Sequence, residues 1–318
     1  MRDRIAACVA FLAMVPPLLG QAPSRTVART AWGAPDLNGV WDFATITPLE
    51  RPSQLAGKEV LTDAEAAEFE KQTLQQRNAD RRDGPAETDR SRAYNQFWWD
   101  YGTNVIGSKR TSLIVDPPDG RVPPMTPAGQ KRMAARVAAF VSPRADGPED
   151  RTLAERCILG FNAGPPMLPS AYNNNVQIFQ TRATVVLLNE MVNDSRIVQL
   201  DGRPHLPEHI RQWRGDSRGR WEGDTLVIDT TNFREQTNFR AAGARFHLVE
   251  RFTRVDANTL LYEFTVDDPE SWTRPWTAAV PMKKSEGPIF EYACHEGNYG
   301  MFNLLAGARA EEKAKEKK

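Results

Sequence analysis

The chain has 318 residues, enough for one large or two small domains, and its 41 Lys and Arg balance 41 Asp and Glu. A net charge of zero argues against nucleic acid or an anionic membrane surface as partner, because both select a basic excess. A small neutral or mixed molecule fits better.

The charged start and the apolar run 5–19, broken by Pro16 and Pro17, read as a signal peptide too short to span a bilayer. Cleavage is expected after Gly20 or Ala22, so 1–22 is assigned as leader and export to the periplasm or beyond follows. No stable membrane insertion is expected once it is removed. A flexible lead-in over 23–36, a single β-barrel-like domain over 37–308 and a charged, frayed tail over 309–318 complete the organisation.

The first strand falls at 37–43 and contains Gly39-Val40-Trp41. This G-x-W resembles the lipocalin opening, where the Trp closes the barrel bottom; the resemblance implies a barrel and carries no function. Thr62-Asp63-Ala64-Glu65 forms a capping box and starts a helix over 62–82. Its basic cluster Arg77, Arg81 and Arg82, interleaved with Asp80 and Asp83, reads as a solvated face. Aromatics crowd at Tyr94, Phe97, Trp98, Trp99 and Tyr101, ahead of a strand at 111–116 turned by Pro117-Pro118-Asp119-Gly120. Thr126 caps a second helix over 127–141, with Pro127 at its first position. Both helices are expected to be surface insertions.

Beyond the Pro-rich stretch 164–169 the pattern becomes strand after strand: 176–180, 183–190, 197–200, 211–214, 221–230, 246–255, 259–266, 276–282 and 289–294. Turns are expected at 216–219 and 256–258, and the short spacers imply antiparallel neighbours. The fold class is therefore mainly β, an antiparallel lipocalin/calycin-like barrel with two short helical insertions.

Cys8 leaves with the leader, so the mature chain keeps Cys157 and Cys294, which are expected to pair in an oxidising compartment. The alternative is two buried free thiols. Neither lies in a C-x-x-C arrangement, which argues against redox catalysis. His205, His209, His247 and His295 all fall in the C-terminal half. His205 and His209 have helical ligand spacing, but Pro207 between them disfavours a helix, and no H-E-x-x-H or Cys-rich frame is present; no metal and no cofactor are expected.

Strand alternation places Phe246, Leu248, Glu250 and Phe252 on one face. A carboxylate among apolar side chains is pushed towards proton donation near neutrality, which makes Glu250 a catalytic candidate. The alternative is a Glu250 paired with an arginine of a neighbouring strand. His247, His295 and Glu296 are its candidate catalytic companions, the last two held rigid if Cys294 is bridged. Asn174, in Tyr172-Asn173-Asn174-Asn175, together with His209, Trp213, Arg251 and Trp272, are candidate ligand contacts through amide, charge and ring-face chemistry. Turn formation is the commoner use of the asparagines, and core packing that of the tryptophans.

The run from Gln212-Trp213-Arg214-Gly215-Asp216-Ser217 through Trp221-Glu222-Gly223-Asp224-Thr225-Leu226-Val227-Ile228-Asp229-Thr230-Thr231-Asn232-Phe233 resembles the core of a large family of exported bacterial hypothetical proteins. The resemblance continues through 247–252, 272–276 and 291–296. It implies export and β architecture and brings no activity with it.

Three functions remain open. The first is an exported enzyme of lyase, isomerase or hydrolase type, with Glu250 and His247 or His295 transferring protons inside a barrel cavity. The second is a lipocalin-like carrier of an apolar or aromatic small molecule. The third is an interaction protein with a filled barrel and an exposed aromatic patch near 97–101.

Overall fold

The computed structural model describes residues 27–84, 95–141, 145–237 and 239–316. The expected leader at 1–22 lies outside the described residues, as does Tyr94 of the aromatic crowd. Within the described part of the lead-in, Arg29 pairs with Asp224 at 2.7 Å, and Pro35 O accepts from the Gln180 side chain.

The strands are β1 (Gly39–Asp42), β2 (Ile114–Asp116), β3 (Asn175–Gln180), β4 (Thr184–Asn189), β5 (Ser195–Gln199), β6 (Asp216–Glu222), β7 (Thr225–Thr231), β8 (His247–Arg254), β9 (Thr259–Asp267) and β10 (Trp276–Ser285). They run in the order β1-β3-β4-β5-β6-β7-β8-β9-β10, and β1 pairs back to β10, closing a nine-stranded barrel. β2 lies outside the ring, on β10, beside a bulge at Thr277 and Ala278. All pairings are antiparallel except β5 with β6, which touch in parallel only at Gln199 and Arg218. The barrel is thus mixed, because the long 200–215 connection returns the chain in the same direction, which a tight hairpin cannot do. At that junction a Cβ on Gly219 would come within 2.5 Å of Leu200 and 2.8 Å of Val198, so only glycine lets the two strands approach.

Alternation fills the lumen. Leu248 and Phe252 of β8, Leu260, Tyr262, Phe264 and Val266 of β9, and Trp276, Ala278, Val280 and Met282 of β10 all belong to one contiguous buried cluster. Trp41 of the G-x-W element sits on β1, the strand that closes the ring; its indole N–H donates to Leu37 O at 2.9 Å and the Arg254 guanidinium lies 5.5 Å from its ring centre.

Among the described residues three α-helices flank the barrel: α1 (Asp63–Arg77), α2 (Pro127–Val141) and α3 (Tyr299–Glu316). The capping box at Thr62 and Glu65 is formed. α1 ends at Arg77 rather than 82 because the Asn78 side chain accepts from Asp80 N at 2.8 Å, an Asx turn that competes with another helical turn. Arg81 therefore lies past the helix, paired with Asp83.

Four further expectations need correction. The hairpin turn is at Gly223 and Asp224, where Gly223 has φ +59° as the first residue of a two-residue loop, and 216–219 lies within β6. The expected strand at 211–214 is a single bridge between Gln212 and Phe233. The segment 289–294 is not a strand, since closure leaves β10 paired on both sides and offers no free edge. Residues 309–316 of the expected frayed tail belong to α3, with Arg309 donating to the carbonyls of Ala145 and Asp146.

Cys157 and Cys294 form a disulfide with Cα atoms 5.8 Å apart, spanning 137 residues. It ties this irregular C-terminal segment to the 151–160 turns.

Candidate functional site

Glu250 points into the barrel and is fully buried, as alternation along β8 requires. Its carboxylate accepts from Arg196 at 2.5 and 2.9 Å and from the Tyr262 hydroxyl at 2.8 Å, while Tyr262 accepts from Met167 N. The arginine comes from β5, across the lumen, with β6 and β7 between it and β8 in the sheet order. Desolvation pulls the Arg196 guanidinium down, but the facing carboxylate outweighs it and the net direction is up. Burial, reinforced by Glu250, holds the Tyr262 hydroxyl well above its ordinary value. Arg196 and Tyr262 thus occupy both Glu250 oxygens.

His247 faces the other way, on the outer wall. Its Nε2 lies 2.9 Å from Asp229 of β7, whose second oxygen lies 3.0 Å from His205 Nε2; the opposite ring nitrogen of His205 lies 3.0 Å from Asp216 of β6. The hydrogen bond to Asp229 raises the His247 pKa against partial desolvation. Desolvation would raise that of Asp229, but bonds to the two histidines prevail and it is lowered. This chain staples the 200–215 connection to the barrel wall; Asp216 also receives Leu206 N and Arg218.

His295 and Glu296 lie exposed in the turn before α3. The structure therefore does not bring Glu250, His247 and His295 together. Arg251 is on the outer wall, paired with Glu222 at 2.9 Å. Trp272 is buried edge-on against Trp276. Asn174 is buried as a clamp, donating to Asp100 O and Ser170 O and accepting from Ser170 N.

His209 and Trp213, by contrast, line one cleft of about 1400 Å³ outside the barrel. One wall is α2, whose Met133, Val137 and Phe140 recur at helical spacing and face the cleft; Val137 is 55% and Phe140 67% exposed. The other wall is the strapped pair 209–213 and 234–237, where Gln212 N donates to Asn232 O, Arg234 N to Gln212 O and the Thr237 hydroxyl to Trp213 O. The Arg234 guanidinium stacks 4.7 Å from the Trp213 ring centre. The turns 149–156 close one end, next to the disulfide at Cys157.

Arginines fasten α2 to the neighbouring loops. A Cβ on Gly129 would lie 2.3 Å from the Ser271 carbonyl oxygen, so the first turn of α2 lies directly on that loop, where Thr126 N also donates to Ser271 O. One and two turns on, Arg132 donates to Ala241 O and Ser271 Oγ, and Arg136 donates to the carbonyls of Glu235, Phe239, Arg240 and Ala242. Burial against these dipoles, with Arg132 beside it, brings the Arg136 pKa down to about 10, still cationic at neutrality. A second cavity of about 770 Å³ is lined by Trp99, Tyr101, Leu49, Leu113 and Leu168. Neither cavity is lined by Glu250, His205, His247 or His295.

Among the described residues, no three His, Cys, Asp or Glu are grouped to hold a metal ion, and no helix is long and apolar enough to cross a membrane. Compared with known proteins, the chain matches no family model, no curated protein and no solved structure.

Sequence reasoning found His209 and Trp213 but missed their company: Arg156, Arg234 and the exposed face of α2. The α2 signal was present, since an amphipathic helix with Val137 and Phe140 on its apolar stripe has to bury that stripe or offer it. The arginines carried none, because pairing with a distant wall is a property of the fold.

Proposed function

We propose that this protein is an exported binder of an apolar or aromatic small molecule, held in the cleft outside the barrel wall. The observation that carries the reading is the exposed apolar face of α2, Val137 and Phe140, set opposite Trp213 and His209 across about 1400 Å³. Large apolar side chains left open inside a concavity mark a binding surface, and a Trp face and a few polar groups give it orientation. The volume exceeds the ~300–1,000 Å³ of ordinary ligand pockets, which suits an elongated or multi-ring occupant.

Carriage is favoured over acid-base catalysis by the state of Glu250. A carboxylate bonded twice by one guanidinium and once by a tyrosine hydroxyl has both oxygens committed to structural partners, and the lumen around it is packed. Export is supported by the leader expected at 1–22 and by the disulfide, since such bonds persist in oxidising compartments. The resemblance to exported bacterial proteins supports it as well.

The test is fluorescence titration of the purified mature protein with the neutral dye Nile red. Saturable binding that weakens at least about tenfold in Phe140→Asp and in Trp213→Ala, both with unchanged circular dichroism, is expected. Absence of saturable binding, or equal binding in all three proteins, would overturn the reading.

A further inference from the structure

Four arginines in the cleft meet no carboxylate among the described residues: Arg136 and Arg211 spend their donors on backbone carbonyls, while Arg156 and Arg234 have no hydrogen-bonded partner at the guanidinium. Two other arginines of the cleft are paired, Arg151 with Glu155 and Arg240 with Glu50, and elsewhere the chain pairs its guanidiniums closely, as in Arg214 with Asp194, Arg218 with Asp216 and Arg251 with Glu222. A molecule with no net charge therefore concentrates uncompensated cations beside its exposed apolar helix face. His209 is exposed on the same wall as Arg234.

The arrangement is two-sided: an apolar stripe on α2 and a cationic rim opposite. Arg234 already has its guanidinium carbon 4.7 Å over the Trp213 ring centre, which restrains the side chain before a ligand arrives, and its N–H groups remain to meet a planar oxyanion. Glu149, Asp150 and Glu235 also line the cleft. They oppose a second negative charge on the occupant, so a monoanion is selected over a dianion such as a phosphate monoester.

We propose that the ligand is a free amphipathic carboxylate, its apolar or aromatic body on Val137 and Phe140 and its head group at Arg156 and Arg234. This inference rests on the binding reading above and narrows it to a chemical class. Neutral analogues of the same shape fill the apolar half only, and lose the charge-assisted hydrogen bonds that distinguish the acid.

The test is displacement of Nile red from the mature protein by dodecanoate and by dodecan-1-ol, in the wild type and in the double variant Arg156→Gln with Arg234→Gln. Among the described residues neither guanidinium makes a hydrogen bond, and Arg234 gives up only its contact over Trp213, so unchanged circular dichroism is required of the double variant. Dodecanoate is expected to displace the dye at concentrations about tenfold lower than the alcohol or better, an advantage that shrinks with added salt and vanishes in the double variant. Equal displacement by acid and alcohol in the wild type, with dye binding still sensitive to Phe140→Asp, overturns the carboxylate inference and leaves the binding reading standing. Dye binding insensitive to Phe140→Asp overturns both. An acid preference that survives in the double variant places the head group elsewhere and overturns the assignment of these two arginines.

Discussion

Replacing Arg196 by Met leaves Glu250 as an uncompensated carboxylate in the centre of the barrel. At an effective dielectric of about 20, two unit charges about 4 Å apart attract by about 4 kcal/mol. The guanidinium and carboxylate here are in direct contact at 2.5 and 2.9 Å, with both side chains buried. Breaking a buried pair from one side costs about 3–5 kcal/mol, because the remaining ion keeps its desolvation penalty. Glu250→Met is expected to cost a similar amount for the reciprocal reason. The double variant Arg196→Met with Glu250→Met removes both ions from an otherwise apolar core and is expected to cost much less than the sum, with a coupling of at least about 2 kcal/mol. Urea unfolding followed by tryptophan fluorescence and circular dichroism measures all four corners of the cycle. A cost below about 1 kcal/mol for Arg196→Met, or additivity in the double variant, would refute the view that Glu250 is a structural ion and return it to the list of catalytic candidates.

Three other expectations follow from the same geometry. The folded-state pKa of His247 is raised by Asp229, so that pair stabilises fully below the unfolded value near 6.5 and loses its contribution as pH rises through the folded value; the lowered Asp229 gives the opposite limit, losing its share as pH falls below about 4. Because His247 is half-exposed the effect is under about 1 kcal/mol, and denaturation at about pH 5.5 and pH 8.5 should show it in the wild type and not in Asp229→Asn. Opening the Cys157–Cys294 bridge over its 137-residue separation should cost up to about 5 kcal/mol by loop-closure entropy, read as a lower unfolding midpoint in the Cys157→Ser, Cys294→Ser protein. Gly219→Ala forces a Cβ against Leu200 and Val198 and should destabilise by about 1–3 kcal/mol in thermal unfolding; a neutral result would mean that β5 and β6 part at little cost.

Much of the barrel was legible because its signals are local. Thr62 with Glu65 and Thr126 with Pro127 start their helices where side-chain chemistry demands, and alternation in 246–252 places Glu250 inside whatever its partner is. The two cysteines outside the expected leader are expected to pair on the expectation of export alone. What failed depends on distant chain. Alternation in 289–294 is a strand pattern, yet a strand needs an edge, and closure of β1 onto β10 removes the last one. The hairpin at Gly223 was misplaced because Asp216, Ser217 and Gly219 are turn formers too; their role as strand residues is set by pairing with Thr231, Thr230 and Ile228. At the site, Trp213 and His209 could be singled out by chemistry, while the arginine that holds Glu250 and the helix that faces Trp213 come from parts of the chain that only the closed barrel brings near.

Hydrogen–deuterium exchange of the mature protein with and without saturating Nile red tests most directly where the small molecule is held. The account predicts added protection in 133–140, 209–213 and 234–237, the segments that wall the cleft, with the inward-facing strands β8, β9 and β10 unchanged. Protection confined to β8 through β10, with the cleft segments unaffected, would place the ligand in the barrel lumen and contradict it.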